Sequence, residues 1–311
     1  MKKQRMKILC PINKLEEARP LIKAGADEFY CGLLLGQHRT SCTRTADPKL
    51  DSMTFDELKE LIAIARGENK EVFLAFNRTI YSPEEWRELK KNVTKIKKLD
   101  LAGVIAANLD LLAEFKGSKF KLAASSFFEA KNHETVQALK EFGAQRIIFD
   151  RQIDLVDLGV VSIFPELEFE AFIMMGACRS LANYCQGIVP KNGRIGHLCQ
   201  NKFFVSEANK LSGDKKEIIT ARLSMPNHFM CCGACALRQF AQHNIVSLKI
   251  VGRGFPLEIK IKSVRMVKAA LDLLEKKHSQ WKFQEKTKEV FKEIYGVECR
   301  ENYCYYPHLN L

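Results

Sequence analysis

The sequence has no long apolar run. None of its hydrophobic stretches approaches the roughly 18 residues needed to span a bilayer, which excludes a helical membrane anchor within the 311 residues. The opening "MKKQRMKILCPINKLEEA" has a basic flank but only four or five apolar residues in a row, so it reads as a first strand and not a signal peptide. Neither G-x-S-x-G nor H-E-x-x-H occurs, which leaves a hydrolase without its two most recognisable local signatures. No glycine-rich phosphate fingerprint follows the first strand, where "CPINKLEEA" stands. No compact arginine-rich tract is present either. The net charge of +12 favours anionic partners all the same, RNA or a phosphorylated small molecule among them.

Short apolar runs alternate with helical patterns. Strands are expected at 6–10, 27–33, 71–77, 103–107, 120–125, 146–150, 167–175 and 246–252. A helix over 14–24 carries Leu15, Ala18, Leu21 and Ile22 on one face and stops at Gly25. Residues 34–53 form a long polar connection. Thr54 with Glu57 forms a capping box, and Ser82 with Pro83 starts another helix. A helix over 258–277 completes the series. Eight strands separated mostly by helices imply parallel βαβ units, and their natural closure is a (β/α)8 TIM-type barrel. A doubly wound open sheet is the alternative. The barrel is assigned residues 1–285, with 286–311 as a tail packed on it. An insertion over 176–245 leaves the C-terminal end of strand seven, where barrel active sites are built.

Eleven cysteines stand against these absences, six of them within 178–235. A chain without a secretory leader is expected in the reducing cytoplasm, where lasting disulfides are rare. Cys10 and Cys31 end apolar strands and read as buried structural thiols. Cys178, Cys185, Cys199, Cys231, Cys232 and Cys235 lie in polar or glycine-rich surroundings, which argues for ligands. "CGAC" at 232–235 has the C-x-x-C spacing of zinc, redox and cluster sites alike. Separations of 7 and 14 positions, from 178 to 185 to 199, suit thiolates arriving on several loops. Spacing alone leaves an iron–sulfur cluster, zinc and no metal open.

The opening "KILCPINKLEEARPLIKAGADEFYCGL" resembles the start of the U32 peptidase family, the collagenase-like proteins. "GACRSLANYC" is similar to that family's Gly-Ala-x-Cys with a second Cys seven residues on. "SLKIVGR" at 247–253 is similar to its Lys-Ile-Glu-Gly-Arg signature, and "CYYPHLN" to a short tail of some members. The resemblance implies a four-iron–four-sulfur cluster, with zinc as the competing metal. It also implies oxygen-independent hydroxylation of an aromatic ring, in a quinone precursor or an RNA base. Carried over by position, the ligands are Cys178, Cys185 and Cys199, with Cys232 as the fourth and Cys235 or Cys231 as competitors. The size resembles the quinone-pathway members, which work as paired subunits, so a second family subunit is an expected partner. Two departures stand out: Met175 replaces a frequent His, and Val251 replaces the signature Glu.

Side chains just past strand ends face a barrel's mouth. That places Asn77, Asn108, Ser125, Ser126, Asp150, Arg151 and Arg253 there. Asn77 stands where the family usually has Asn, and Arg44 resembles a family arginine in the second loop. Arg44 and Arg253 are suited to gripping a carboxylate or phosphate through paired N–H donors; rim salt bridges are the plain alternative. His197 and His228 flank the cysteines. Three activities remain in view: a redox or hydroxylating enzyme, a cluster-stabilised RNA- or protein-binding module, and a peptidase.

Overall fold

The computed structural model describes residues 5–40, 52–151, 153–176, 188–191, 194–197, 204–205, 221–222, 230–300, 304–306 and 309. Eight parallel strands form one sheet: β1 (Lys7–Pro11), β2 (Glu28–Leu35), β3 (Glu71–Phe76), β4 (Gly103–Ala106), β5 (Lys121–Ala124), β6 (Arg146–Ile148), β7 (Glu168–Met174) and β8 (Ile245–Ile250). Each pairs with the next in chain order, and β1 pairs with both β2 and β8. That double pairing closes the sheet, so the barrel holds and the open-sheet alternative falls. All eight expected strands are present.

The outer layer comprises α1 (Ala18–Ala24), α2 (Phe55–Gly67), α3 (Pro83–Lys97), α4 (Leu109–Phe115), α5 (His133–Glu141), α6 (Leu158–Val161), α7 (Leu237–Gln242), α8 (Leu257–Glu275) and α9 (Gln280–Tyr295). The capping boxes at Thr54 and Ser82 form as expected. The helix expected from residue 14 begins as a 3-10 turn at Leu15–Glu17 and becomes α-helical only at Ala18. Pro20 explains the delay, since it has no N–H for the Glu16 carbonyl and its ring crowds that carbonyl. Gly25 ends α1 at a φ of +114°.

Two boundaries move. Helix α7 and the 3-10 turn Ala234–Ala236 before it bury Leu237 and Phe240 and pack on α8, so they belong to the barrel wall and not to the insertion expected through 245. The boundary expected after 285 falls inside α9, which packs along α8. Two short antiparallel pairs, 188–191 with 194–197 and 204–205 with 221–222, are the described parts of the excursion after β7. Among the described residues no helix is long and apolar enough to cross a membrane.

The barrel axis is partly ionic. At its N-terminal end Arg146 donates to Glu28 at 2.9 and 3.0 Å, to Glu168 at 2.9 Å and to Glu170 at 3.3 Å. Its guanidinium lies 4.6 Å from the centre of the Phe73 ring. Gly103 makes room for that ring, because a Cβ there would collide with Phe73 and with the Lys121 carbonyl. Charge at this end of a barrel serves stability.

Candidate functional site

Strand β8 shows how the sequence feeds the interior. Ser247 and Lys249 alternate inward with a period of two, and Arg253 continues the run past the strand end. Ser247 Oγ donates to Glu28 at 2.6 Å, and Lys249 Nζ donates to Glu170 Oε1 at 2.7 Å. Glu170 therefore bridges Lys249 and Arg146, and the ionic column rises from the floor toward the mouth. Burial pushes the Lys249 ammonium below its ordinary pKa, and Glu170 opposes that shift without cancelling it. Lys249 Nζ lies 4.3 Å from the Tyr30 ring centre, and the Arg253 guanidinium lies 5.9 Å from the same ring. Tyr30 Oη donates to the Ile250 carbonyl at 3.2 Å, and burial raises its pKa.

Arg151 follows β6 and stacks 4.6 Å from the Phe172 ring of β7. Its Nε is buried with no hydrogen-bond partner among the described residues. Three cations, Lys249, Arg253 and Arg151, thus meet the aromatic rings of Tyr30 and Phe172 at the C-terminal end of the barrel. Such a mouth suits a flat anion, with guanidinium groups for oxyanions and ring faces for stacking.

The end of β7 carries the chain toward the cysteine-rich excursion. Met175 and Gly176 both adopt left-handed backbone, with φ of +62° and +59°. A Cβ on Gly176 would stand 2.5 Å from Val251 Cγ2, so the two segments touch where the related signature has Glu. Met175 N donates to the Cys231 carbonyl at 2.8 Å, and its own carbonyl accepts from Tyr305 Oη. Cys232 bridges antiparallel to Met174 on one side and parallel to Cys304 on the other. The 231–232 pair is thereby fixed beside Met174 and Met175, which precede Cys178 by four and three positions in the chain.

Cys232, Cys235, Cys299 and Cys304 line one small cavity with Thr287, Lys288 and Phe291 of α9. Burial first, then the neighbouring Cys235, raises the Cys232 thiol well above its ordinary pKa, against a backbone N–H from Ala234. Burial likewise pushes Cys235 up to about 12, with Cys304 and Cys299 adding to it. Among the described residues no group of three or more His, Cys, Asp or Glu side chains is arranged to hold a metal ion.

The expected site residues divide. Arg253, Arg151 and the buried Asp150 reach the mouth region. Asn108 caps α4 through Leu111 N at 2.9 Å, and Ser125 caps a short 3-10 turn through Phe127 N at 3.4 Å; both side chains thus serve local structure. Asn77 is half-buried at the end of β3. Cys10 and Cys31 are fully buried as expected, and burial pushes Cys31 up to about 12. Arg44, Cys178, Cys185, Cys199 and His228 lie outside the described residues, as does the side chain of His197. Sequence reasoning missed Lys249, Tyr30, Glu170, Tyr305, Cys299 and Cys304. The period-two pattern of "SLKIVGR" would have placed Lys249 on the face of Arg253. Nothing local in the sequence joins Cys299 to Cys235.

The sequence pattern of peptidase family U32 matches residues 13–310. An uncharacterized protease of Methanocaldococcus jannaschii is 24% identical over 185 residues, which is 58% of this chain and 43% of that protein. The tRNA hydroxylation protein P1 of Bacillus subtilis (strain 168) is 20% identical over 199 residues, which is 62% of this chain and 45% of that protein. The matches thus span less than half the length of either relative. A solved U32 peptidase superposes with a TM-score of 0.44 at 13% identity, covering 56% of this chain and 71% of that one.

Proposed function

Since the chain belongs to peptidase family U32, we propose that it is an iron–sulfur protein that hydroxylates an aromatic ring without molecular oxygen, on an anionic small molecule or an RNA base. The observation that carries this reading is the mouth itself. Arg151, Arg253 and Lys249 gather around Tyr30 and Phe172 within the same barrel end that launches the Cys178 segment. The relative named for tRNA hydroxylation supports an RNA base as the ring, and the charge of +12 supports an anionic carrier for it.

Four cysteines are a donor set suited to a four-iron–four-sulfur cluster. Cys178, Cys185 and Cys199 would supply three thiolates and Cys232 the fourth, with Cys235 or Cys231 as competitors; the Met175 N–Cys231 O bond anchors the 231–232 pair beside Met175. When bound, the cluster supplies one-electron redox chemistry at the mouth. The protein groups do the rest. Arg253 and Arg151 hold the substrate's oxyanions, Tyr30 and Phe172 offer ring faces, and the ion pair to Glu170 holds the buried Lys249 in place beneath Tyr30. In the net reaction a ring C–H becomes C–OH. The oxygen comes from an oxygen-donor co-substrate, which leaves reduced by two electrons. A reducing cytoplasmic setting and a second family subunit accompany this reading.

The test is mass spectrometry of RNA nucleosides and metabolites from anaerobic cells with the intact gene, without it, and with Cys185→Ala. A product heavier by one oxygen, present only with the intact gene, is the expected result. Unchanged profiles, together with salt-sensitive RNA binding by the pure protein, would replace the enzyme with a binding module.

A further inference from the structure

The backbone of Arg253 is held by a segment 240 positions away: the Asn13 side-chain amide, just past β1, donates to the Arg253 carbonyl. Asn13 is itself held from behind. Its own N–H donates to Glu17 Oε2 at 3.0 Å, and Lys260 Nζ of α8 donates to both Glu17 oxygens at 2.9 Å. Lys260 is sealed from solvent and Glu17 is 7% exposed. Glu17 stands at the start of α1, yet its carboxylate caps no N–H of that helix. It is turned instead to Asn13 and Lys260. The neighbouring Ile12 N–H donates to the Tyr30 carbonyl at 3.1 Å. One turn of chain therefore holds Arg253 and also the strand that carries its ring partner, 5.9 Å away. On the other side of Arg253, Gly252 adopts left-handed backbone at a φ of +95°. A Cβ there would stand 2.3 Å from the Phe255 ring, and Phe255 N donates to the Gly252 carbonyl at 3.0 Å.

We propose that Lys260, Glu17 and Asn13 are positioning residues for Arg253, a buried relay that sets where its guanidinium stands in the mouth. The assignment rests on the proposed function, in which Arg253 grips the substrate's oxyanion. The bonds run in one direction: Lys260 orients Glu17, Glu17 orients the Asn13 backbone, and the Asn13 amide fixes the Arg253 carbonyl. A guanidinium grips an oxyanion best when two N–H donors meet it in parallel. Its long stem swings from the Cα, so the direction of those donors depends on where the backbone is held. A misplacement of about 1 Å can cost a site about a hundredfold.

Stability alone is a weak reason for this arrangement. A buried ion pair can often be replaced by apolar residues of similar volume without loss of stability. What apolar residues cannot do is aim Asn13, because that needs an acceptor at a set distance from its N–H. The two roles therefore come apart in one variant. Glu17→Met with Lys260→Met removes both charges at once and strands neither, so it removes the aim while keeping the core filled.

The experiment uses the full chain, purified anaerobically, as wild type, Asn13→Leu, the apolar pair, Arg253→Ala, and Asn13→Leu with Arg253→Ala. The first readout is hydrogen exchange of the Phe255 amide, with the amides of β4 as control. Asn13→Leu and the apolar pair should each speed exchange at Phe255 about tenfold and leave β4 alone. The second readout is the kinetics of oxygenated-product formation. Both variants should raise KM about tenfold, more than they lower kcat, without a fall in melting temperature. Adding Asn13→Leu to Arg253→Ala should raise KM no further, since no guanidinium is left to position. Should the apolar pair fail to fold, Asn13→Leu, at a half-buried position, carries both readouts. A lower melting temperature with KM unmoved would mark a structural role and overturn the proposal. An additive rise of KM in the double variant would overturn it too. If the wild type forms no product, the proposed function falls, and exchange decides the clamp by itself: an unchanged rate at Phe255 overturns it, and a faster one upholds it.

Discussion

Lys249 Nζ and Glu170 Oε1 meet at 2.7 Å in the barrel axis, and Arg146 reaches the other oxygen of Glu170 at 3.3 Å. One carboxylate thus joins the charged floor to the mouth. Glu170 is sealed from solvent and the Lys249 side chain is 9% exposed, so neither charge has water to fall back on. Breaking such a pair strands a buried charge. Lys249→Met and Glu170→Gln should each lower the unfolding free energy by about 3 kcal/mol. The double variant should cost less than the sum by about 1–3 kcal/mol. Urea unfolding of the four proteins measures both; additive losses would mean that the two groups act independently.

Acid should unfold this protein through the floor of the barrel. Burial raises the Glu28 carboxyl, but Arg146 and the hydrogen bond from Ser247 outweigh it and hold Glu28 below the ordinary carboxylate range. Glu168 is likewise depressed, with Arg146 and Lys121 outweighing burial. A carboxylate with a lower pKa folded than unfolded stabilises fully above the unfolded value, and the gain is lost as pH falls toward the folded value. The urea midpoint should therefore hold steady near neutrality and drop between about pH 5 and about pH 2. Glu168→Gln should flatten that slope, and an unchanged slope would remove Glu168 from the account.

Gly176 is placed where no other residue fits. Its φ is +59°, and an added Cβ would stand 2.5 Å from Val251 Cγ2. Gly176→Ala should cost about 1–3 kcal/mol through strain and overpacking. Adding Val251→Ala should recover the overpacking part and leave the backbone part. Thermal melts of the single and double variants separate the two. If Val251→Ala gives no recovery, the clash relaxes elsewhere.

At the mouth, Arg151 and Arg253 should behave alike toward substrate. Removing either guanidinium should raise KM about tenfold or more, since a hydrogen bond to a charged group contributes about 1.5–3 kcal/mol. Lysine should restore only part of this, because it cannot present two parallel donors. The assay is formation of the oxygenated product, and an unchanged KM in both alanine variants would move the anion site elsewhere. The protein's melting temperature serves as the control for folding.

The sequence by itself determined the barrel and its rhythm. Apolar runs, the capping boxes at Thr54 and Ser82 and the stop at Gly25 are local signals, and local signals survive in one dimension. It also singled out Arg151, Arg253 and the Cys231–Cys235 region, because strand ends and cysteine spacing can be read off directly. What only the tertiary structure decided is everything that depends on residues far apart in the chain. Glu28 meets Arg146 across 118 positions and Lys249 meets Glu170 across 79, and neither pairing leaves a trace in local pattern. Asn108 and Ser125 were legible as strand-end polar residues, but the helix and turn that follow them claim their oxygens. Cys304 is drawn to Cys232 by a backbone bridge from the tail. A tail folded back on β7 is a matter of packing, and spacing along the chain carries no record of it.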